Sequence, residues 1–326
     1  SADIVAYGRS LMCDPDIALK AATGEPIREC LNCNKGCVDA IQNRRYISCV
    51  LNAENGDEAT VSIKPGEGKK RVAIVGGGIA GLEAARVAAK RGYDVTLFEA
   101  SDHLGGQIIL AAAPPRKSEI MRSVEYYEKV FPGLGVSVEL NHAASADELN
   151  AFDAAVVAVG AHDFRIPVPG ADSDKVVSSW DVLSGKAEVS GRVAVIGGGL
   201  VGTETAEFLL ERGCKVSVVE MLDKIAAGES DTILPLIMAD FEENGVDQHV
   251  NTRLSAVTDE GIEAVCGEET VKIACDYVVM AVGSKANPFD VSAVKVPVTF
   301  VGDCSGERTA DIASAIRTAY NAANSL

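Results

Sequence analysis

Residues 29–37 read ECLNCNKGC, so Cys30, Cys33 and Cys37 crowd one short stretch; Cys49 follows and completes the spacing C-x2-C-x3-C-x11-C. Thiolates are soft donors, and four of them in this arrangement suit either a tetrahedral zinc ion or a [4Fe–4S] cluster; spacing alone leaves both open. Four unligated core cysteines are a poor alternative, because a loop containing Asn32, Asn34 and Lys35 offers few apolar neighbours to bury them. The other cysteines, Cys13, Cys214, Cys266, Cys275 and Cys304, are scattered and read as structural, Cys304 included despite its place beside Asp303. His103, His142, His162 and His249 share no metal-ligand spacing.

A second chemistry is written twice. RVAIVGGGIAGLEAARVAAKRGYDVTLFEA (71–100) and RVAVIGGGLVGTETAEFLLERGCKVSVVEM (192–221) carry Gly76, Gly78, Gly81 and Glu99 and, 121 positions on, Gly197, Gly199, Gly202 and Glu220. In G-x-G-x-x-G the first glycine makes the turn, the second lets backbone amides approach a pyrophosphate, and the third lets helix and strand pack closely. The helix N-terminus then presents unpaired N–H groups and a positive dipole end to the phosphates. A carboxylate ending the next strand accepts hydrogen bonds from a ribose. One such motif is weak evidence; strand, loop, helix, strand and glutamate in order, twice, read as two dinucleotide sites. A carboxylate at Glu220 repels a 2′-phosphate and Met221 brings no positive charge, so NADH is expected over NADPH.

These sites need elements to hold them. VAIV and VAVI are short β-branched runs of the kind buried in parallel sheets, and stretches of helical periodicity follow each loop. The chain has 326 residues, 47% of them hydrophobic, which suffices for two or three units with full cores. Its formal charge of −17, with no visible basic stripe, argues against nucleic acid as a partner. No apolar run is long enough to cross a bilayer, so no membrane association is expected, and nine cysteines, an odd number, without a secretory leader favour a reducing, cytoplasmic setting. The first residue is serine and the chain enters directly on the apolar IVAY, which reads as a fragment of something longer.

After Glu99 the first copy continues ASDHLGGQ, whereas after Glu220 the second continues MLDKIAAGESD without paired glycines. This difference resembles the two-dinucleotide flavoprotein disulfide reductase superfamily. The resemblance implies FAD in the first unit, with Gly105, Gly106 and Gln107 passing near the flavin, and assigns the Gly302-Asp303 pair before an Ala-rich helix to FAD binding, Asp303 to the ribityl chain. AAVVAVGA (154–161) and DYVVMAVGS (277–284) end in similar turns, suited to chain crossings between the domains. No C-x2-C or C-x4-C lies within either nucleotide unit, which disfavours a disulfide reductase.

ADIVAYGRSLMCDPDIALKAATGEPIRECLNCNKGC with the later CVLN is similar to the junction in the iron–sulfur flavoenzymes related to old yellow enzyme: 2,4-dienoyl-CoA reductase, 2-enoate reductase, NADH:flavin oxidoreductases and trimethylamine dehydrogenase. The resemblance implies an α/β chain of two Rossmann-like domains of the FAD/NAD(P) flavoprotein type, preceded by the tail of a (β/α)8 barrel and a cysteine loop. The expected divisions are 1–29 for the barrel tail, with DIVAY a strand and Asp14-Pro15 opening a helix; 30–70 for the iron–sulfur segment; 71–189 with 284–326 for the FAD domain; and 190–283 for the NAD(H) domain. Electrons would pass from NADH to FAD, through [4Fe–4S] on Cys30, Cys33, Cys37 and Cys49, to FMN in the barrel, whose phosphate Arg9 would bind. A chain with hydride chemistry and no other one-electron carrier makes iron a better choice than structural zinc. The implied activity is NADH-dependent reduction of an activated C=C bond in a small-molecule substrate bound at the barrel, with a homo-oligomer compatible. Alternatives are an amine dehydrogenase of the trimethylamine dehydrogenase type, an electron-supplying subunit like that of glutamate synthase, which usually carries more cluster ligands, and a nucleotide-binding scaffold.

Overall fold

A computed structural model describes residues 3–306 and 311–326. Residues 307–310, inside the stretch that links Asp303 to the Ala-rich helix, lie outside the described residues. The chain divides into two units: residues 1–108, 119–161 and 286–326, and residues 109–118 with 162–285.

Each unit is built on a five-stranded, all-parallel sheet, and apart from one edge strand the two sheets have the same strand order. In the first, Val298–Phe300, Ala154–Val157, Arg71–Val75, Asp94–Phe98 and Ser137–Glu139 lie side by side. In the second the order is Val176–Ser178, Tyr277–Met280, Arg192–Ile196, Lys215–Val219 and Asp247–His249. The β-branched runs are buried on both faces, as parallel strands covered by helices must be: Val72, Ala73 and Ile74 are fully buried, as are Ala194 and Val195. An antiparallel meander, Thr252–Thr258, Gly261–Cys266 and Glu269–Ala274, belongs to the second unit.

The duplication therefore extends beyond the glycine loops to whole sheets, but the edge strand is recruited differently. In the first unit it comes from late in the chain, at 298–300; in the second it comes from 176–178, before the central strand. For this reason residues 162–189, assigned from the sequence to the FAD domain, fall in the second unit. Val176–Ser178 is hydrogen-bonded alongside Tyr277–Met280; the chain changes unit just after the two A-V-G turns, and residues 109–118, also expected in the FAD domain, belong to the second unit as well.

In the first unit, helix Ile79–Lys90 packs its apolar residues with helix Ile312–Ser325 into one core. Its buried charged residues are paired with each other: Arg86 donates twice to Glu83, both at 2.7 Å, and the Tyr127 hydroxyl adds a bond of 2.9 Å. Among the described residues no helix is long and apolar enough to cross a membrane.

The opening segment departs from expectation. Among the described residues no strand forms before Arg71, and Ile4 and Val5 lie exposed, because no neighbouring strand is present to complete a ladder with DIVAY. Asp14 does not cap the helix that follows: the helix is Ile17–Thr23 with Asp16 at its N-cap position, and Asp14 is buried instead.

Candidate functional site

The two glycine loops have the same geometry. Gly76 (φ +104°) and Gly197 (φ +100°) adopt a backbone that a side chain rarely tolerates, and a Cβ on either would strike the carbonyl of Ala158 or Ala281 on the adjacent strand. The third glycines are excluded from bearing a side chain for a different reason: a Cβ on Gly81 or Gly202 would run into the carbonyl of Gly76 or Gly197, the loop's own first residue. The second glycines are the open positions. Among the described residues a Cβ on Gly78 or Gly199 meets no heavy atom within 4 Å, and each residue is the N-cap of the helix that follows. Space, helix dipole and unpaired N–H groups coincide there, which is the requirement for a diphosphate.

The carboxylates are held alike. Glu99 accepts from the Gly77 N–H at 2.6 Å on one oxygen and from the N–H and hydroxyl of Ser101 at 2.8 and 2.7 Å on the other. Glu220 accepts from the Gly198 N–H at 2.6 Å and the Leu222 N–H at 2.8 Å. A carboxylate offers about four acceptor sites, so both retain capacity for ribose hydroxyls, Glu220 more than Glu99. Met221 and Leu222 beside Glu220 are exposed and uncharged.

Only the first loop carries the paired glycines. The Gly105 N–H donates to the Gly77 carbonyl at 2.9 Å, Gly78 and Gly105 form a parallel bridge, and a Cβ on Gly106 would sit 3.3 Å from the Gly78 Cα. The pair is thus laid against the phosphate loop; in the second unit the equivalent bond comes from Ala226, whose N–H donates to the Gly198 carbonyl at 2.7 Å. Gln107, next in sequence, donates to Asp303 at 2.8 Å across 196 residues. Asp303 stands in a one-turn helix, Gly302–Ser305, whose first N–H bonds the Thr318 hydroxyl at 3.1 Å.

The cysteines form a third locus, also in the first unit. Cys30, Cys33, Cys37 and Cys49 line one cavity together with a fifth thiol, Cys13, and with Leu31 and Leu51. Gly36 brings the two cysteine stretches together: its carbonyl accepts from the Ser48 N–H at 2.7 Å, and a Cβ there would approach the Ser48 carbonyl to 2.5 Å. Residues 12–14 are tied in from both sides. Asn52 donates to the Met12 carbonyl at 2.9 Å, Arg28 Nε to the Cys13 carbonyl at 2.8 Å, and Asp14 accepts from the Arg28 N–H at 2.8 Å and from Lys20 at 2.7 Å. Burial pushes the Asp14 carboxyl up, yet Lys20 and the Arg28 N–H outweigh it and its pKa ends below the ordinary value.

Three of the four sulfurs receive backbone donors from two or three residues downstream: Asn32 N–H reaches Cys30 at 3.4 Å, Lys35 N–H serves Cys33, and Leu51 with Asn52 serves Cys49. Burial nevertheless raises the Cys33 thiol. Cys49 is lowered to about 6, first by the hydrogen bond from Cys13, against the opposing effect of burial. Cys13, as donor in that pair and fully buried, is pushed far up and stays protonated. Arg9 also lines this cavity, where its guanidinium donates to Asn34 and, at 3.4 Å, to Asn32.

Among the described residues no group of three or more His, Cys, Asp or Glu is drawn close enough to hold a single metal ion. Four thiolates around one zinc at bonds of about 2.3 Å would stand only about 3.8 Å apart. A cluster with iron at each ligated corner keeps its cysteine sulfurs farther from one another, around a common void. Four cysteines on one cavity, with backbone N–H groups aimed at three of the sulfurs, are the donor set such a cluster would need.

Sequence reasoning named the four cysteines, the glycines, both glutamates, Gln107 and Asp303. It passed over Cys13, taken as structural, and Gly36, whose only signal was its place inside the cysteine stretch.

The described geometry agrees with what known proteins share with the chain. The family described as pyridine nucleotide-disulphide oxidoreductase matches residues 70–303. Bilirubin reductase of Mediterraneibacter gnavus is 49% identical, over 99% of this chain and 52% of its own length. Cinnamate reductase of Clostridium sporogenes is 36% identical, over 99% of this chain and 50% of its own. A solved 2-naphthoyl-CoA reductase in complex with 2-naphthoyl-CoA superposes with a TM-score of 0.91 at 30% identity, covering 98% of this chain and 50% of that one. The chain thus spans about half the length of these three relatives.

Proposed function

Because the chain belongs to the pyridine nucleotide-disulphide oxidoreductase family, whose members are FAD- and NAD(H)-binding oxidoreductases, and to the flavoenzymes related to old yellow enzyme, we propose that it is the NADH-dependent electron-input module of a C=C bond reductase. In this reading Gly76–Gly81 and Glu99 hold FAD, Gly197–Gly202 and Glu220 hold NADH, and Cys30, Cys33, Cys37 and Cys49 hold a [4Fe–4S] cluster, with FMN in a barrel of the whole protein. When bound, NADH would supply hydride, FAD the exchange between two-electron and one-electron chemistry, and the cluster one-electron transfer toward the barrel.

The chain's own contribution is position and potential. Gly78 and Gly199 keep space at the helix N-termini for two diphosphates, and the N–H groups there neutralise their charge. Glu99 and Glu220, clamped by backbone N–H groups, orient the riboses, and Glu220 excludes a 2′-phosphate. Gln107 fixes the Asp303 carboxylate where a polar chain of the flavin is expected. Backbone N–H groups lower the charge density on the cysteine sulfurs.

The observation that carries the reading is the repeat of one loop geometry, with its clamped glutamate, in both units of a chain that also gathers cysteines around one cavity. Bilirubin, cinnamate and 2-naphthoyl-CoA, for which three relatives are named, are all conjugated molecules, which supports an activated C=C bond as the final acceptor. Thiols without disulfides suit a cytoplasmic setting. The test is anaerobic: NADH added to FAD- and iron-loaded protein should bleach the flavin and produce a reduced-cluster paramagnetic signal. A fully loaded preparation that does not bleach would refute the NADH-driven direction and favour an amine dehydrogenase.

A further inference from the structure

The cysteine cavity contains one sulfur more than a [4Fe–4S] cluster needs. Cys13, the last residue of helix Arg9–Cys13, is fully buried and packs with Leu31 and Leu51, and the partly buried Cys30, Cys33 and Cys49 border the same small core. Its thiol has one proton and two acceptors in reach: the Glu29 carbonyl at 3.5 Å and the Cys49 sulfur. A neutral carbonyl is a weaker acceptor than the sulfur of an iron-bound cysteine, since hydrogen bonds to charged acceptors are about twice as strong as neutral ones. The peptide on each side of Cys13 is fixed: Met12 and Cys13 carbonyls accept from Asn52 and Arg28, so the thiol cannot swing away into solvent.

We propose that Cys13 is a positioning residue for electron transfer, a non-ligating thiol whose S–H turns between the Glu29 carbonyl and the Cys49 sulfur and stabilises the reduced form of the cluster that Cys49 holds. The proposal rests on the cluster assignment above. Reduction places charge on the iron-bound sulfurs, and a donor aimed at one of them favours the state carrying more charge, which raises the potential. The side chain contributes no ligand bond, so its loss leaves the iron count unchanged. It also sits at the cysteine farthest along the chain, so the effect falls on one corner of the site rather than on all four.

The experiment compares wild-type, Cys13→Ala and Cys13→Ser proteins after anaerobic reconstitution, by iron and sulfide analysis and by redox titration followed by electron paramagnetic resonance. All three should hold four irons and four sulfides per chain. Cys13→Ala should need a potential about 59 mV more negative for half-reduction, the equivalent of a tenfold change in the oxidised-to-reduced ratio for one electron. Cys13→Ser, which retains an O–H donor, should recover most of that shift. An unchanged ratio in Cys13→Ala with the irons intact overturns the proposal; so does loss of an iron, which would make Cys13 a ligand. Should Cys13→Ala not fold, the infrared S–H stretch of wild-type protein decides: a band that moves when the cluster is reduced supports the rotation, and S–H bands that stay put overturn it. Zinc, or no metal, in reconstituted wild-type protein overturns the cluster assignment itself, and metal analysis separates that failure from the others.

Discussion

Replacing Gly199 by alanine should separate dinucleotide binding from folding. The residue is in extended backbone (φ −69°, ψ −171°), which alanine adopts freely, and among the described residues the new Cβ meets no heavy atom within 4 Å. Two small stability effects oppose each other. Alanine is a worse N-cap than glycine by about 0.5 kcal/mol, while a less flexible unfolded chain returns about 0.4–1 kcal/mol. The net should stay within about 0.5 kcal/mol, or about 2 °C in Tm. Binding has no such compensation, because the methyl group occupies the space through which a diphosphate reaches the helix N–H groups. Losing one charge-assisted hydrogen bond costs about 1.5–3 kcal/mol, so Kd for NADH should rise about 10- to 150-fold. Gly202→Ala is the control: its Cβ is driven into the Gly197 carbonyl, backbone against backbone, and overpacking of this kind costs about 1–3 kcal/mol of stability. Differential scanning calorimetry and anaerobic titration of the flavin with NADH measure the two quantities. Unaltered NADH affinity in Gly199→Ala, at unaltered Tm, would refute the claim that this loop faces the diphosphate.

Glu220→Gln should lower kcat/KM for NADH by about tenfold or more, through loss of charged hydrogen bonds to the ribose, and narrow the gap to NADPH; a wild-type preference for NADPH would sink the specificity argument. Gly36→Ala should push the loop off Ser48, whose carbonyl lies 2.5 Å from the new Cβ position, and iron content after reconstitution should fall while FAD content holds. Asp14→Asn should cost about 2–3 kcal/mol at pH 7, because it removes the charge buried with Lys20 and the Arg28 N–H. Since the folded Asp14 pKa is depressed, its stabilisation is fully present above the unfolded value of 3.8 and is lost as pH falls through the lower folded value. Urea denaturation of the two proteins should therefore differ most near neutrality and converge in strong acid.

What could be read from the residues, and what could not, follows from how locally each feature is determined. Gly76, Gly78 and Gly81 with the strands around them are a local pattern, and all lie where the motif requires. The edge strands are not local: Val176–Ser178 and Val298–Phe300 have three residues each, and nothing in their composition says which sheet they join. Hence residues 162–189 were placed with the wrong glycine loop's sheet, since only hydrogen bonding to Tyr277–Met280 reveals their partner. DIVAY has strand composition but no neighbour, and β-propensity is chiefly a measure of fit to neighbours. Cys13 was unreadable for a related reason: seventeen residues before Cys30, it reaches the other thiols only because Asn52 and Arg28 hold its backbone against them.

The two copies also show how one loop is fitted to two dinucleotides. Both glutamates accept from the second residue of the loop and from the residue two positions on, so their orientation is a property of the fold and not of the ligand. The difference lies in what remains. Ser101 occupies a third acceptor site on Glu99 with its hydroxyl, and Gly105 and Gly106 close over the loop that Glu99 serves. Leu222 supplies only its N–H, and beyond Glu220 the loop is approached not by a glycine pair but by Ala226, whose N–H donates to the Gly198 carbonyl at 2.7 Å. A more saturated carboxylate suits a cofactor that stays bound, whereas spare acceptor capacity suits one that exchanges at each turnover. If so, Ser101→Ala should leave NADH kinetics untouched and speed FAD loss on dilution, and Leu222→Ser should slow NAD+ release. Equal FAD retention in Ser101→Ala, measured by flavin fluorescence after gel filtration, would refute the link between carboxylate saturation and retention.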